Sequence, residues 1–250
     1  MSKILNINID NIKINDLLSL LKEGVIVTPN VDHLMKLQSD KEFYEVYQNS
    51  DYRLCDSKLL QIASKFLKQP IVEKISGSDF FPAFCKYHKD NKDIKIFLLG
   101  SASESIVNKA MCNINSQYNR DIIIQGLAPS FGFENNSAEN KSIINMINTS
   151  GATVLAVGVG APKQEKWIME HKSSLPNIKI FMAIGATIDF EAGNIKRAPL
   201  WISNSGLEWL YRLLSEPKRL WKRYLIDDIP FFWLILKQKL NLYKNPWEEN

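Results

Sequence analysis

The chain has 250 residues, of which 45% are hydrophobic and 10% aromatic, a composition that supports a full folded core and excludes extensive disorder. The net charge is only +4 at pH 7, yet residues 196–250 carry ten Lys and Arg against six Asp and Glu, whereas residues 1–195 carry twenty-one of each. Cys55, Cys85 and Cys112 are widely spaced and form no C-x-x-C pair, which argues against a disulfide framework or a zinc site and favours a reducing cytoplasm.

Neither end of the chain has the pattern of a secretory or membrane-spanning segment. Residues 1–20 alternate apolar side chains with Asp, Asn and Lys and lack the apolar run of a secretory signal. The longest apolar run, residues 229–236, contains Pro230 and is far shorter than the roughly twenty residues that a spanning helix needs. We therefore expect a protein that is not exported and whose membrane contacts are peripheral.

Short β-branched runs alternate with segments of helical periodicity, as is typical of an α/β protein with a parallel sheet. Five runs are predicted strands, each leading to a small or turn-forming residue: 25–27 before Thr28, 94–99 before Gly100, 122–124 before Gly126, 154–157 before Gly158, and 178–184 before Gly185. Helices are predicted between them, for example over 106–116 and over 138–148 with a cap near Ser137. Parallel sheets bind ligands at the carboxyl ends of their strands, so we expect the pocket there.

Two groups of polar residues in the first quarter of the chain follow short apolar segments. Thr28 and Asn30 could hydrogen-bond a sugar or a uracil base, although the residues alone favour a capped turn that begins a helix through Leu37. Asp56 precedes a helical stretch that ends near Leu67. It is either the N-cap of that helix or a general base that acts on a sugar hydroxyl.

The segment around Ser76 and Gly77 is open to the same two interpretations. It is either a turn that caps a helix or a loop lined by hydrogen-bond donors, with Lys74 beside it.

Gly158 and Gly160 are predicted to turn a buried strand into a helix whose first turn contains Pro162. Such a helix start presents backbone N–H groups and a positive dipole end, which suit a diphosphate, and Lys163 and Gln164 follow directly. The third glycine of the dinucleotide fingerprint is missing and Lys163 stands in its place, which disfavours a nicotinamide cofactor. A plain strand-to-helix turn is an equal alternative.

The sequence predicts neither a metal site nor another cofactor site. His33, His88 and His171 lack the spacing of metal ligands and are predicted to be ordinary packing or surface histidines. There is no phosphate-binding G-x-x-x-x-G-K-[ST] loop and no D-x-D triplet. If a nucleoside diphosphate leaves during the reaction, other groups must neutralise its charge.

The C-terminal segment combines positive charge with large amphipathic rings, and we place a domain boundary between residues 195 and 196. A helix is predicted over 204–215, and a second begins near Pro217 and runs toward Tyr224. The segment holds five of the six tryptophans, namely Trp201, Trp209, Trp221, Trp233 and Trp247.

These C-terminal side chains allow three interpretations. The first gives Arg212, Arg219 and Arg223 forked contacts to phosphate oxygens, while Trp209, Trp221 and Trp233 lie at the level of lipid headgroups. The second is a solvated basic helix that covers the edge of the core. The third is nucleic-acid binding, against which stand the small charge excess and the lack of a nucleic-acid motif.

Taken together, these segments resemble the WecG/TagA/CpsF glycosyltransferases over nearly the whole chain. The most specific stretches are Gly160-Ala161-Pro162-Lys163-Gln164-Glu165-Lys166-Trp167, Asp189-Phe190-Glu191-Ala192-Gly193 with Lys196-Arg197-Ala198-Pro199, and Gly206-Leu207-Glu208-Trp209-Leu210-Tyr211-Arg212-Leu213 with Glu216-Pro217. The resemblance implies a Rossmann-like catalytic core, here residues 1–195, no metal requirement, and inversion at the anomeric carbon. It also implies that a helical appendage, here residues 196–250, docks on the membrane and completes the site.

The resemblance assigns a role to several residues. It implies that Asp56 is the catalytic base. The residues that it implies for contacts to the sugar nucleotide are Thr28, Asn30 and Gln164, with Arg212, Arg219 and Arg223 as the appendage arginines. Two positions depart from the family. Cys55-Asp56-Ser57 stands where the family has Ala-Asp-Gly or Pro-Asp-Gly. Lys74 stands where an arginine is usual, so a single ammonium charge replaces the forked N–H donors of a guanidinium.

The sequence therefore predicts an inverting transferase that moves a hexose or N-acetylhexosamine, with N-acetylmannosamine favoured, from a UDP-sugar to a polyprenyl-diphosphate-linked saccharide. Such a reaction belongs to the synthesis of cell-surface polysaccharide or teichoic acid, and we expect it at the inner face of the cell membrane, without nucleic acid, metal or cofactor. The predicted substrate-binding residues are Thr28, Asn30, Lys74, Ser76, Gly77, Gly158, Gly160, Lys163, Gln164, Arg212, Arg219 and Arg223. The alternatives are a non-catalytic module that binds nucleotide sugars or polyanions, and a nicotinamide-dependent oxidoreductase that the incomplete fingerprint disfavours.

Overall fold

The computed structural model describes residues 1–199, Ile202 and residues 207–248. In this part of the chain the strands are β1 (Ser2–Ile4), β2 (Ile7–Ile9), β3 (Gly24–Val27), β4 (Tyr52–Arg53), β5 (Ile96–Gly100), β6 (Ile123–Leu127), β7 (Val154–Gly158) and β8 (Ile180–Ala183). The α-helices are α1 (Ile14–Leu20), α2 (Val31–Lys36), α3 (Lys41–Gln48), α4 (Lys58–Phe66), α5 (Gly77–Tyr87), α6 (Glu104–Tyr118), α7 (Ser137–Ser150), α8 (Lys163–His171), α9 (Thr187–Glu191), α10 (Glu208–Ser215), α11 (Pro217–Lys222) and α12 (Pro230–Lys239). A π-helical turn, Arg223–Asp227, joins the last two regions of helix.

The chain divides into two compact units that each contain separate stretches of sequence. The first unit consists of Met1–Ile14, Thr28–Ser76 and Arg197–Asn250, so far as the last stretch is described. The second unit consists of Asn15–Val27 and Gly77–Lys196. The predicted boundary between residues 195 and 196 stays a prediction.

The second unit contains five strands of the six-stranded parallel sheet, in the order β3-β8-β7-β5-β6. Every neighbouring pair is parallel. All residues of β5, β7 and β8 are buried, which explains why these strands are continuous apolar runs rather than alternating ones. The predicted α/β class with a parallel sheet is confirmed, and the five predicted strands are present with ends shifted by up to three residues.

The two predicted helices of the second unit are also present, as α6 and α7. The cap of α7 is Asn136, one residue before the predicted Ser137, and its side chain accepts hydrogen bonds from the backbone N–H groups of Ala138 and Glu139, each at 3.2 Å. Pro162 directly precedes α8 and does not lie in its first turn. The sequence thus predicts the start of α7 and the start of α8 to within one residue.

The first unit is held together by contacts between its distant stretches of sequence. β1 and β2 form an antiparallel hairpin. From the C-terminal stretch, Gln238 accepts a hydrogen bond from the backbone N–H of Leu5 at 2.8 Å, and the Trp247 indole donates to the backbone oxygen of Leu37 at 2.7 Å. Phe231 of α12 is buried as well. The described part of the C-terminal stretch is therefore built into the core of this unit.

The predicted helix over 204–215 is present as α10 from Glu208 onward, while residues 203–206 and Trp201 lie outside the described residues. The second predicted helix begins at Pro217, as expected. None of the described helices has both the length and the apolar character to cross a membrane.

Candidate functional site

The first unit contains a cavity of about 350 Å³ between its N-terminal and C-terminal stretches. Its walls come from the start of α2, the start of α4, the segment at Lys74, and the helical region that runs from α10 to α12. The lining residues are Asn30, Val31, Asp32, Asp56, Ser57, Lys58, Leu59, Lys74, Glu208, Trp209, Arg212, Arg223, Tyr224, Leu225, Asp228, Ile229 and Phe232. The cavity thus gathers five of the predicted site residues: Asn30, Asp56, Lys74, Arg212 and Arg223.

Asn30 has a structural role and also lies in the cavity wall. It is the N-cap of α2, and its Oδ1 accepts a hydrogen bond from the backbone N–H of His33 at 3.1 Å. The same oxygen is 3.4 Å from a terminal nitrogen of Arg223, which donates to it. The capped turn expected from the residues alone is therefore present, and it also orients an arginine of the C-terminal stretch. Thr28 is buried in this unit and is not among the lining residues.

Asp56 lies in the cavity wall and does not cap α4. The cap is Ser57, whose hydroxyl accepts a hydrogen bond from the backbone N–H of Leu60 at 3.4 Å. The backbone N–H of Asp56 donates to the carbonyl of Pro29 at 2.9 Å, which ties its loop to the loop of Asn30. The interpretation of Asp56 as an ordinary N-cap is therefore wrong. Asp56 is half-buried.

The residue before Asp56 is a cysteine that cannot act as a nucleophile at neutral pH. Cys55 is buried, and burial raises the pKa of its thiol to about 12. Because the thiolate is the nucleophilic form, this cysteine is inert at neutral pH.

Lys74 brings a positive charge to the same wall. Its Nζ lies 3.9 Å from a carboxylate oxygen of Glu208 in α10. The neighbouring backbone N–H of Ile75 donates to the carbonyl of Cys55 at 2.8 Å, so the segments of Lys74 and Asp56 are held side by side. Ser76 is buried in this unit and does not line the cavity, whereas Gly77 is the first residue of α5 in the second unit.

Arg223 is held in the cavity wall by a partly buried ionic cluster around Asp32. One of its terminal nitrogens lies 3.4 Å from the Asp32 carboxylate, which also binds Lys36 at 2.7 Å. Burial by itself raises the pKa of Asp32, but Arg223 and Lys36 together outweigh it and hold that pKa below its ordinary value. Asp32 is therefore ionised at neutral pH. Arg212 lines the cavity from α10, and the side chain of the predicted Arg219 lies outside the described part of the chain.

The cavity wall also contains polar or charged residues that were not predicted as site residues from the sequence: Asp32, Ser57, Lys58, Glu208, Tyr224 and Asp228. Asp32 and Lys36 have the four-residue spacing of an ordinary helix-surface ion pair, and that spacing gives no hint of a partner in the C-terminal stretch. For Asp228 the available signal was its place beside Asp227, an acidic pair inside an otherwise basic segment.

The predicted glycine turn lies in the second unit. Gly158 ends β7, and a Cβ at this position would lie 2.6 Å from the backbone oxygen of Gly185, so only glycine fits. Gln164 is buried, and its Oε1 accepts hydrogen bonds from the N–H groups of Gly160 at 3.3 Å and of Gly185 at 3.1 Å. Its amide therefore connects two glycine loops at the carboxyl ends of neighbouring strands and fixes their positions. Lys163 forms an ion pair with Glu134 at 3.1 Å.

Within the described residues, no cluster of three or more His, Cys, Asp or Glu side chains could hold a metal ion.

The sequence was also compared with models of known protein families. The model of the glycosyl transferase WecG/TagA/CpsF family matches residues 2–245, which is nearly the whole chain. The match includes both units and every residue that lines the cavity. The chain therefore belongs to the WecG/TagA/CpsF family of glycosyl transferases.

Proposed function

We propose that this glycosyltransferase inverts the anomeric carbon as it moves a hexose or N-acetylhexosamine, with N-acetylmannosamine favoured, from a UDP-sugar to a polyprenyl-diphosphate-linked saccharide. The observation that carries the proposal is the composition of the cavity wall. The carboxylate of Asp56 shares a cavity of about 350 Å³ with the cations Lys74, Arg212 and Arg223. A base and several positive charges are the groups that transfer from a nucleoside diphosphate requires.

In the proposed reaction Asp56 takes the proton from a hydroxyl of the acceptor. The hydroxyl oxygen forms a bond to the anomeric carbon, while the bond from that carbon to the UDP oxygen breaks on the opposite face and UDP keeps the bonding electrons. A single displacement of this kind inverts the anomeric carbon. A positioned base typically contributes about two to four orders of magnitude in rate.

The leaving diphosphate gains negative charge, and the cations of the cavity would stabilise it. Arg223 is oriented in advance by Asn30 and Asp32, so it would bind a phosphate oxygen with little loss of side-chain freedom. Arg212 can present a fork of donors, and Lys74 a single point charge. Arg219 is proposed as a third arginine for the diphosphate on the strength of the resemblance.

We also propose that the remaining predicted residues contact the sugar nucleotide. In the first unit these are Thr28, Asn30 and Ser76, and in the second unit Gly77, Gly158, Gly160, Lys163 and Gln164. Gln164 supports this proposal because its buried amide fixes the two glycine loops. It would therefore influence donor binding by setting the shape of these loops.

The lipid-linked acceptor implies a membrane surface, and we propose that α12 and the turn before it contact it at the inner face of the cell membrane. Ile229, Phe232 and Trp233 each expose more than half of their surface, and the first two also line the cavity. Lys237 lies 5.6 Å from the centre of the Trp233 ring. Aromatic rings beside lysines suit an interface with anionic lipid headgroups.

The proposal is tested by a screen of UDP-sugars with a synthetic polyprenyl-diphosphate-linked saccharide, in which released UDP is measured with and without the acceptor. We expect release that depends on the acceptor with at least one donor, and a product whose anomeric configuration, read by NMR, is opposite to that of the donor. A protein that binds UDP-sugars but releases no UDP in any combination would instead be a non-catalytic binding module. Retained configuration would contradict the single displacement.

A further inference from the structure

Asp228 is a buried carboxyl group that the proposed reaction does not use. It follows the π-helical turn, lines the cavity together with Asp56 and Arg223, and is only 7% exposed. Among the described residues its Oδ1 has no hydrogen-bond partner, and neither does the buried Nε of Arg223. Buried polar groups normally have a hydrogen-bond partner, so these two atoms are open to a partner from outside the chain, either a water or a ligand in the cavity.

Charges of both signs surround Asp228. Arg223 attracts a negative charge at this position, but it already has Asp32 as its counterion. Asp32 and Asp227 both repel a charge on Asp228, while Lys36 attracts it weakly. The other charged or titratable groups of the cavity wall are Asp56, Lys58, Lys74, Glu208, Arg212 and Tyr224. His33, which lies next to Asp32, is neutral.

Burial is the largest influence on Asp228, and it raises the pKa of the carboxyl to about 7, with Arg223 opposing the rise. At neutral pH a substantial fraction of the molecules therefore carries a neutral carboxyl with an O–H donor. The ionised form has only acceptors. A diphosphate has only acceptors as well, so it can form a hydrogen bond with the protonated carboxyl but not with the carboxylate.

We propose that Asp228 is a proton-linked binding residue, which in its protonated form donates a hydrogen bond to a diphosphate oxygen of the sugar nucleotide and in its ionised form weakens donor binding. This inference rests on the proposed function, because it requires the diphosphate to occupy the cavity. The linkage makes donor binding couple to the uptake of one proton whenever the free protein is ionised at Asp228.

The test uses UDP-N-acetylmannosamine, whose two phosphates are each singly ionised throughout the range, and isothermal titration calorimetry from about pH 5.5 to about pH 8.5. The dissociation constant of the wild-type protein should be constant below pH 7 and rise by up to about tenfold per pH unit well above it. Titrations at pH 8 in buffers with different ionisation enthalpies should show the uptake of close to one proton.

Asp228→Asn removes the titration and keeps an N–H donor, so its affinity should not vary across the range and should exceed that of the wild type at about pH 8.5. Asp227→Asn is the matched control, because it removes an exposed carboxylate one residue away that does not line the cavity. This control should keep the slope, with the midpoint moved slightly downward.

The inference is overturned if wild-type affinity does not change with pH, if no proton is taken up, or if Asp228→Asn keeps the wild-type slope. The proton-uptake measurement needs only the wild-type protein, so it decides the matter even if a variant does not fold. Binding without pH dependence refutes the role of Asp228 and leaves the proposed function intact. Failure of the wild type to bind the donor at any pH contradicts both.

Discussion

His33 shows how a single buried side chain can be excluded from the chemistry although it adjoins the cavity. Its Nδ1 is 2.7 Å from the Tyr47 hydroxyl, and the edge of its ring meets Phe43. Burial is the main reason that the pKa of His33 falls to about 3, since the attraction of Asp32 only partly offsets it. The histidine is therefore neutral at physiological pH. The prediction that it is an ordinary packing residue is confirmed.

The low pKa of His33 makes the free energy of unfolding depend on pH. In the unfolded chain His33 takes up a proton near its ordinary pKa of about 6.5, whereas the folded protein keeps it neutral down to about pH 3. The unfolded state thus binds more protons between these values, so the contribution of His33 to the free energy of unfolding is present above pH 6.5 and is lost as the pH falls toward 3.

Tyr47→Phe tests the local hydrogen bond. The change leaves the buried Nδ1 of His33 without its partner, so we expect the free energy of unfolding to fall by about 1–3 kcal/mol, measured by urea denaturation. Tyr87→Phe is the control, because the Tyr87 side chain is more than half exposed, and it should change stability little. Equal effects of the two substitutions would mean that the bond to His33 contributes nothing.

At the scale of elements, α12 places apolar side chains on two sides. Phe231 and Ile235, four residues apart, are buried in the first unit, whereas Phe232 and Trp233 are each 59% exposed. A soluble helix needs one apolar face, so the second apolar face indicates a further apolar environment. This arrangement supports the proposed contact with a lipid surface.

Replacing Phe232 and Trp233 together by Ser should weaken binding to anionic liposomes by about tenfold or more, because the two side chains would otherwise be buried among lipids. Co-sedimentation measures the effect. The matched control is Leu20→Ser with Tyr87→Ser, which removes two exposed apolar side chains from the second unit. Equal liposome binding by both double variants and the wild type would refute the assigned surface.

Elements could be predicted from the sequence where their signal is local. The buried runs that become β5, β7 and β8 are long enough for their β-branched composition to stand out, so their strands were placed to within two residues. β1, β2 and β4 have only two or three residues each, too few for a period to show, and were not predicted. At the start of α4 both Asp56 and Ser57 are good N-caps, and local chemistry could not decide between them.

At the scale of the whole molecule, the candidate site depends on contacts between distant stretches of the chain. Asn30 and Arg223 are 193 positions apart, and their side chains meet in one cavity wall. Asp56, Arg212 and Arg223 could each be singled out from the residues themselves, but only the resemblance to the family implied that they serve one site, because no periodicity links such positions. Asp228 and Glu208 were not predicted, since the burial and the charged neighbours that distinguish them exist only in the folded chain.

We propose that Asp56 is the base in the cavity, and its replacement tests this role most directly. With the donor and the lipid-linked acceptor saturating, Asp56→Asn should lower turnover by about two to four orders of magnitude while the affinity for UDP stays nearly the same. Asp16→Asn removes an exposed carboxylate in α1 and should match the wild type in both quantities. Wild-type turnover by Asp56→Asn would contradict the account.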